Sequence, residues 1–179
     1  MHTLRPASNA DIPAIRTLIA DSVRGLSAGH YSSEVIEASL VHVFGVDTQL
    51  VADRTYFVVE NGGAIVAAGG WSGRRTLFGG DQHKSGVDNR LDSTTEPARI
   101  RAFFVHPDHT RRGLARRLFE RCATEAAAAG FRRLALAATL PGVALYEALG
   151  FVAHDPIDVP MPGGLVLRCI HMERPLTGG

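Results

Sequence analysis

The order of apolar and polar positions along the chain predicts a sequence of alternating strands and helices. Runs of β-branched and aromatic residues are typical of strands, and they occur at residues 2–6, 56–60, 64–72, 98–105, 134–138, 151–154 and 165–173. Apolar residues spaced three and four apart are typical of amphipathic helices, and they occur at residues 11–25, 33–44, 111–129 and 141–149. Alternation of this kind with a terminal hairpin predicts an α/β (α+β) fold, a mixed sheet with helices on both faces.

Two parts of the chain lack such a pattern and are predicted to be loops. Pro156, Pro160 and Pro162 interrupt the region between the last two strands, and proline cannot donate a ladder hydrogen bond. Residues 73–97 are rich in glycine and polar side chains and form the least regular stretch. A loop of this length inside a domain is usually functional, with a solvated insertion as the alternative.

Length and charge narrow the class of protein. The 179 residues suit a single domain over 1–179, and the net charge of +1 argues against a general nucleic-acid binder. No run of eighteen apolar residues predicts a membrane span, and no signal-peptide core is seen at the N-terminus, so we expect a cytoplasmic protein. Cys122 and Cys169 fall in helical and strand patterns and are predicted to be buried thiols, with a disulfide or catalytic role as the alternative.

The segment from Val105 to Leu118 carries the clearest chemistry. A strand runs into Pro107, and a helix with Leu114 and Leu118 on its apolar face opens from about residue 111, with Gly113 at the turn. A helix N-terminus offers unpaired N–H groups and a partial positive charge, and a glycine lets an anion approach the backbone. Arginines at 111, 112, 116 and 117 add cationic charge. We therefore predict a polyphosphate site here, although it matches neither the Walker A pattern nor the dinucleotide fingerprint.

The residues of this segment resemble motif A of the GCN5-related N-acetyltransferase (GNAT) superfamily. The superfamily pattern is Gln/Arg-x-x-Gly-x-Gly/Ala, and the match is Thr110-Arg-Arg-Gly113-Leu-Ala115, in which Thr110 departs from the pattern. A second segment, Ala144-Leu-Tyr146-Glu-Ala-Leu-Gly150-Phe151, resembles motif B of the same superfamily, downstream and in the right order. The resemblance implies a single domain with a mostly antiparallel, twisted central sheet. It implies direct acetyl transfer from acetyl-CoA to the amine of a small-molecule acceptor.

The resemblance also implies roles for individual residues. Tyr146 matches the usual general acid, which donates a proton to the departing sulfur. The position that carries a catalytic glutamate in many relatives is Arg99 here, so the base is open: Glu96 is the tentative candidate, with Asp81 or a chain of water molecules as alternatives. The residues implied in holding acetyl-CoA are Phe103, Phe104, Val105, Arg111, Arg112, Gly113, Leu114, Ala115 and Arg116.

Acceptor contacts are expected from loops and from the central strand. By resemblance, the loop with His30 and Tyr31 borders the acceptor pocket, with a role as ordinary loop residues as the alternative. Trp71, just beyond Gly69 and Gly70, is expected to line this pocket, with a place in the core as the alternative. Residues 73–97 precede the central strand and are expected to cover the pocket. Alternation along a strand places Arg99, Arg101, Phe103 and Val105 on one face. A cationic pocket formed by Arg99 and Arg101 would favour an amine that also carries a carboxylate or phosphate. The alternative is that Glu96, Asp81 or Asp92 pairs with these arginines in structural ion pairs.

Other functions remain as alternatives. A non-catalytic acyl-CoA-binding or sensing module explains the missing glutamate, and a nucleic-acid-binding role rests on the arginine cluster alone. The spacing of His106 and His109 does not match a metal site, so we expect no metal. The expected partners are acetyl-CoA and an amine, without nucleic acid or membrane, and a homodimer stays open.

Overall fold

The computed structural model describes residues 1–176, which fold into one seven-stranded sheet. The strand order across the sheet is β1-β2-β3-β4-β5-β7-β6. The strands are β1 His2–Pro6, β2 Tyr56–Asn61, β3 Ala64–Ser72, β4 Ala98–Val105, β5 Arg133–Thr139, β6 Val152–Met161 and β7 Leu165–Pro175. The helices are α1 Ile12–Ser27, α2 Ser33–His42, α3 Thr48–Ala52, α4 Leu114–Ala128 and α5 Val143–Ala148.

The helices cover both faces of this sheet. On one face, Leu114, Leu118 and Cys122 of α4 pack against β2 to β5 in a core that also contains Trp71. On the other face, α1, α2 and α3 pack against the opposite sides of β2 and β3. The predicted mixed, mostly antiparallel sheet with helices on both faces is therefore confirmed.

Strands β4 and β5 form the parallel pair of the sheet, and the two strands separate after two paired positions. They are paired only at Ala98 with Leu134 and at Arg99 with Ala135. Beyond these positions each strand keeps its other neighbour, β3 for β4 and β7 for β5. The C-terminal half of β4 therefore leaves a gap in the sheet.

A β-bulge interrupts β4 at Ala102, whose φ is +54°. Arg101 pairs with Gly70 and Phe104 pairs with Ala68, so two residues of β4 lie opposite one residue of β3. The Tyr56 hydroxyl donates a hydrogen bond to the Ala102 carbonyl at 3.0 Å, which ties the bulge to β2.

The bulge makes the predicted alternation along β4 wrong. Phe103 and Val105 pack with the core under α4, whereas Ala102 and Phe104 pack with the core under α1. One extra residue reverses the faces beyond it. Arg101, before the bulge, therefore does not share a face with Phe103 and Val105.

The prediction of a loop between the last two strands is also wrong. Strand β6 continues through Pro156 and Pro160, which pair with Ile170 and Val166 of β7. Strand β6 lies at the end of the strand order, and an edge strand tolerates proline because one of its sides needs no ladder donors.

Residues 73–97 contain no helix or strand, as predicted, but they are held in place. Arg74 and Arg90 form an isolated bridge, and the Arg75 N–H donates to the Asn89 carbonyl at 2.9 Å. None of the helices within residues 1–176 has the length and apolar composition needed to cross a membrane.

Candidate functional site

A cleft of about 600 Å³ passes through the sheet where β4 and β5 separate. Phe103, Phe104 and Val105 form one wall, and Leu136 and Ala137 of β5 contribute to the other. Helix α1, Phe44 and residues 77–80 border the cleft on one face of the sheet, and the start of α4 and Tyr146 border it on the other. The separation of two strands thus creates a groove that reaches both faces.

The loop before α4 has the geometry of an anion site. Arg111 and Gly113 both have left-handed backbone conformations, with φ of +59° and +75°. Alternation with right-handed residues turns successive N–H groups toward one concavity, and the first N–H groups of α4 have no partners within the helix. Apart from Gly113 and its neighbours in the chain, no residue has an atom within 4 Å of the position that a Gly113 Cβ would take, so the space beside this backbone is open.

The four arginines of this segment divide into two pairs. The side chains of Arg112 and Arg117 donate to the carbonyls of Asp108 and His2 at 3.1 and 2.8 Å. Arg111 and Arg116 are exposed and line the cleft. The predicted cationic contribution therefore falls to Arg111 and Arg116, while the Arg112 side chain is engaged outside the cleft.

The backbone N–H of Val105 is directed into the gap. The neighbouring His106 N–H donates to Val66 of the β3 side at 2.9 Å, and successive N–H groups of a strand point to opposite edges. The Val105 N–H donates instead to Ser22 Oγ at 3.3 Å. Ser22 is a buried residue of α1 that lines the cleft.

Tyr146 lies at the side of the cleft below α4. Its ring packs against Phe103 and Phe151, with ring centroids 6.4 and 5.7 Å apart. Burial raises the pKa of Tyr146 well above its ordinary value of 10, so the phenol keeps its proton. A protonated hydroxyl in this position can donate to a developing anion.

Tyr31 connects two segments rather than facing the cleft. Its hydroxyl donates to the Arg168 carbonyl at 2.6 Å and accepts from the Leu140 N–H at 2.8 Å. Burial raises the pKa of Tyr31 to about 12, so this hydroxyl stays a donor. The adjacent His30 does line the cleft, so Tyr31 fixes the loop that carries His30.

Trp71 lies in the core, which is the alternative to the expected place in the acceptor pocket. It packs edge to face on Phe131, with centroids 6.1 Å apart, and its Nε1 donates to Glu125 at 3.2 Å. The strand position that suggested a pocket role faces α4, where a large ring fills the core.

Arg101 is buried in a structural ion pair, contrary to the predicted cationic pocket. Its guanidinium is 1% exposed and donates to Asp47 Oδ2 at 2.9 Å, to the Gly79 carbonyl at 2.7 Å and to the Thr76 carbonyl at 3.2 Å. Burial lowers the pKa of Arg101, and the Asp47 carboxylate opposes this effect. The alternative of a structural ion pair is therefore correct for Arg101, but the partner is Asp47 and not Glu96, Asp81 or Asp92.

Arg99 and Glu96 also lie outside the cleft. Arg99 is half-buried, and one of its Nη atoms donates to the Pro97 carbonyl at 3.2 Å. Glu96 accepts from the Asp92 N–H at 2.8 Å and pairs with Arg75 at 3.2 Å. Glu96, the tentative base, thus stabilises the 73–97 loop through these contacts and does not reach the cleft.

Cleft residues that the sequence did not identify come mainly from α1 and from the long loop. They are Ser22, Val23, Leu26, Ser27, Phe44 and Leu77–Gly80. Ser22 had a signal in the sequence, because it follows Leu18 and Ile19 at helical spacing and so places a hydroxyl on the apolar face of α1.

The remaining candidates for nucleophile or metal chemistry do not form a site. Cys122 and Cys169 are buried free thiols, and burial raises the pKa of both, to about 12 for Cys169. Within residues 1–176 no group of three His, Cys, Asp or Glu side chains is arranged to hold a metal ion.

Comparisons with known proteins place this geometry in a family. A family model described as "Acetyltransferase (GNAT) family" matches residues 27–151. A GCN5-related N-acetyltransferase structure from Rhodopseudomonas palustris is 20% identical, with 97% of this chain and 94% of that chain covered and a TM-score of 0.69. A search of curated protein sequences finds no match.

Two further similar structures contain coenzyme A or acetyl-CoA. The PaiA N-acetyltransferase of Thermoplasma acidophilum, in complex with coenzyme A, is 13% identical, with 98% and 99% of the two chains covered and a TM-score of 0.66. A phosphinothricin acetyltransferase from Sinorhizobium meliloti, in complex with acetyl-CoA, is 21% identical, with 99% and 90% covered and a TM-score of 0.64. At these identities the likeness shows the fold.

Proposed function

We propose, from the premise that this chain belongs to the acetyltransferase (GNAT) family, that it transfers an acetyl group from acetyl-CoA directly to the amine of a small molecule. The observation that carries the proposal is the gap between β4 and β5, which brings an anion-binding loop, a free strand edge and a protonated tyrosine to one cleft. A covalent route is less suited to this site, because both thiols are buried and protonated.

The co-substrate would lie along the open edge of β4. Its pyrophosphate would accept hydrogen bonds from the backbone N–H groups at 111–116. The space beside Gly113 is open there, and Arg111 and Arg116 supply positive charge. Its pantetheine arm carries amide groups, which can pair with the β4 edge at Phe103–Val105 that β5 leaves unpaired. The thioester would then reach the Val105 N–H.

The acyl transfer needs polarisation of the carbonyl and protonation of sulfur. The Val105 N–H can share its long hydrogen bond to Ser22 Oγ, 3.3 Å, with the thioester oxygen, and the Ser22 hydroxyl can act as a second donor to the same oxygen. As the amine nitrogen bonds to the carbonyl carbon, the C–S bond breaks and the sulfur takes a proton from Tyr146. The phenolate regains its proton from solvent, so the products are the amide and the CoA thiol.

The attacking nitrogen must also lose a proton. With Glu96 outside the cleft, His30 is the side chain best placed to accept it, because a neutral imidazole has a free acceptor nitrogen. Tyr31 anchors this loop to Leu140, six residues before Tyr146 in the chain, which keeps His30 on the β5 side of the cleft. A chain of water molecules is the alternative route.

The test combines binding and turnover. We expect acetyl-CoA to bind by calorimetry and to release CoA thiol only when an amine is present, whereas a sensing module would bind without amine-dependent release. Gly113→Asp should weaken acetyl-CoA binding about 10-fold or more, because it places a carboxylate beside the anion site.

Gly86→Asp is the matched control for this substitution. Gly86 has the same φ of +75° and an equally open Cβ position, but it lies in the long loop outside the cleft. The same backbone strain therefore applies without the added charge at the site. Equal affinities in the two variants would contradict the placement of the pyrophosphate.

A further inference from the structure

We infer that the acceptor is a primary amine on an uncharged, apolar body, such as an arylalkylamine or an alkylamine. This inference rests on the proposed function and names the substrate class of the same cleft. It replaces the anionic acceptor that the sequence predicts, because the arginines on which that prediction depends are not in the cleft.

The part of the cleft on the α1 face of the sheet is apolar. The side chains that form it are Leu26, Phe44, Leu77, Phe78, Ala102 and Phe104. Phe44 and Phe104 pack edge to face with centroids 6.2 Å apart, which leaves an aromatic surface at the wall. The polar side chains here are Ser22, Ser27 and His30, and within residues 1–176 no carboxylate, lysine or arginine lines this part.

Charged groups near this wall are paired with each other behind it. Asp47 is 1% exposed and binds both Arg101, at 2.9 Å, and Lys84, at 2.5 Å. Asp81 accepts hydrogen bonds from the N–H and hydroxyl of Thr48 at 3.0 and 2.7 Å. Asp81 also lies 3.7 Å from Lys84, and neither carboxylate lines the cleft, so neither offers a direct partner to a charged acceptor.

The same ion pair fixes the wall in position. Arg101 donates to the carbonyls of Thr76 and Gly79, on either side of Leu77 and Phe78. The Gly80 N–H donates to the Val43 carbonyl at 2.8 Å, which ties the wall to the end of α2. The apolar surface is thus preformed by buried contacts.

A preformed apolar wall discriminates against charged acceptors. A second ammonium or a carboxylate on the acceptor would lose its hydration and find no opposite charge, which is unfavourable. An aromatic or aliphatic body gains from contact with the same surface. The polar side chains of this part, Ser22, Ser27 and His30, are left to the reacting nitrogen.

The experiment compares three acceptors and two variants. We expect phenethylamine to exceed spermidine and glutamate in kcat/KM by about 10-fold or more, since desolvating an unpaired charge is disfavoured. Leu77→Asp should lower kcat/KM for phenethylamine and raise it for spermidine, which narrows the ratio about 10-fold or more. Val87→Asp is the matched control, because Val87 is 85% exposed on the same loop and outside the cleft, and it should leave the ratio unchanged.

The outcomes separate this inference from the proposed function. Calorimetry with acetyl-CoA on each variant shows that the fold and the co-substrate site are intact. If acetyl-CoA binds and spermidine or glutamate is the better acceptor, the inference is wrong while the acetyltransferase assignment stands. If acetyl-CoA binds and none of the three amines releases CoA thiol, both the inference and the proposed transfer are contradicted. If Leu77→Asp and Val87→Asp change the ratio equally, the wall does not select the acceptor. Loss of acetyl-CoA binding in the wild type would instead overturn the proposed function.

Discussion

At the scale of single residues, Tyr146 carries the proton that the departing sulfur needs. Burial raises its pKa, so the phenol is protonated throughout the neutral range and ionises only above its ordinary value of 10. We expect Tyr146→Phe to lower kcat by about 10- to 10⁴-fold, the range of general acid catalysis. Acetyl-CoA affinity, measured by calorimetry, should change little, because the ring contacts with Phe103 and Phe151 remain. Turnover equal to the wild type would leave Tyr146 a packing residue only.

His30 is the second residue whose role a single substitution can decide. Its side chain lines the cleft, and Tyr31 holds its loop, so removal of the imidazole should not disturb the fold. We expect His30→Gln to lower kcat by about 10- to 100-fold, below the full effect of a general base because water can substitute in part. His154→Gln, an exposed histidine of β6, is the control and should have no effect. An unchanged kcat for His30→Gln would favour the water chain.

At the scale of elements, the motif segments could be predicted because local physics determines them. The anion loop depends on Gly113 at a left-handed position and on the unpaired N–H groups of α4, and both follow from the order of strand, proline, glycine and helix. Tyr146 could be placed in a short helix for the same reason, since Pro141 and Gly150 bound that segment.

Strand β4 shows why the acceptor side could not be predicted from alternation. A β-bulge depends on the register with β3, and the residues at Arg101, Ala102 and Phe103 carry no local signal for it. One inserted residue moved Phe103 and Val105 to the face opposite the one that alternation assigned to them together with Arg101. Alternation thus predicted Arg101 in the acceptor pocket, whereas in the structure Phe44 and Phe104 form that wall and Arg101 is buried against Asp47.

Contacts that join distant elements were likewise outside the reach of sequence patterns. Asp47 pairs with Arg101 across 54 residues of the chain, and this contact determines where the long loop meets the cleft. Glu96 is kept out of the cleft by contacts inside the 73–97 loop, with Arg75 and with the Asp92 N–H. Loop conformation follows from such tertiary contacts rather than from composition.

At the scale of the whole molecule, the carboxyl groups paired with arginines make the free energy of unfolding depend on pH in the acid range. The pKa values of Asp11, Glu37, Asp53 and Asp158 lie below the ordinary range, in each case first because of a hydrogen bond from an arginine. A carboxyl group with a lowered pKa stabilises the fold above its unfolded pKa, and this contribution is lost as the pH falls through the folded value. We therefore expect the free energy of unfolding to decrease below about pH 4.

Asp11 is the group that should contribute most clearly to this acid dependence. Its carboxylate accepts two hydrogen bonds from Arg5 at 2.8 Å and one from the Ser8 N–H at 2.7 Å, and Arg5 also binds Glu60, so the start of α1 is tied to β1 and β2. The Asp11 side chain is 12% exposed, but Arg5 is 35% exposed, so solvent screening reduces the gain. We expect Asp11→Asn to lower the free energy of unfolding by about 1 kcal/mol at pH 7, with the difference shrinking as the pH falls below about 4. Urea unfolding at pH 7 and pH 3 measures both values, and Asp158→Asn, in a pair 57% and 49% exposed, is the control with a smaller effect. A difference for Asp11→Asn that is the same at both pH values would mean that packing, not the charge of the carboxylate, stabilises this corner.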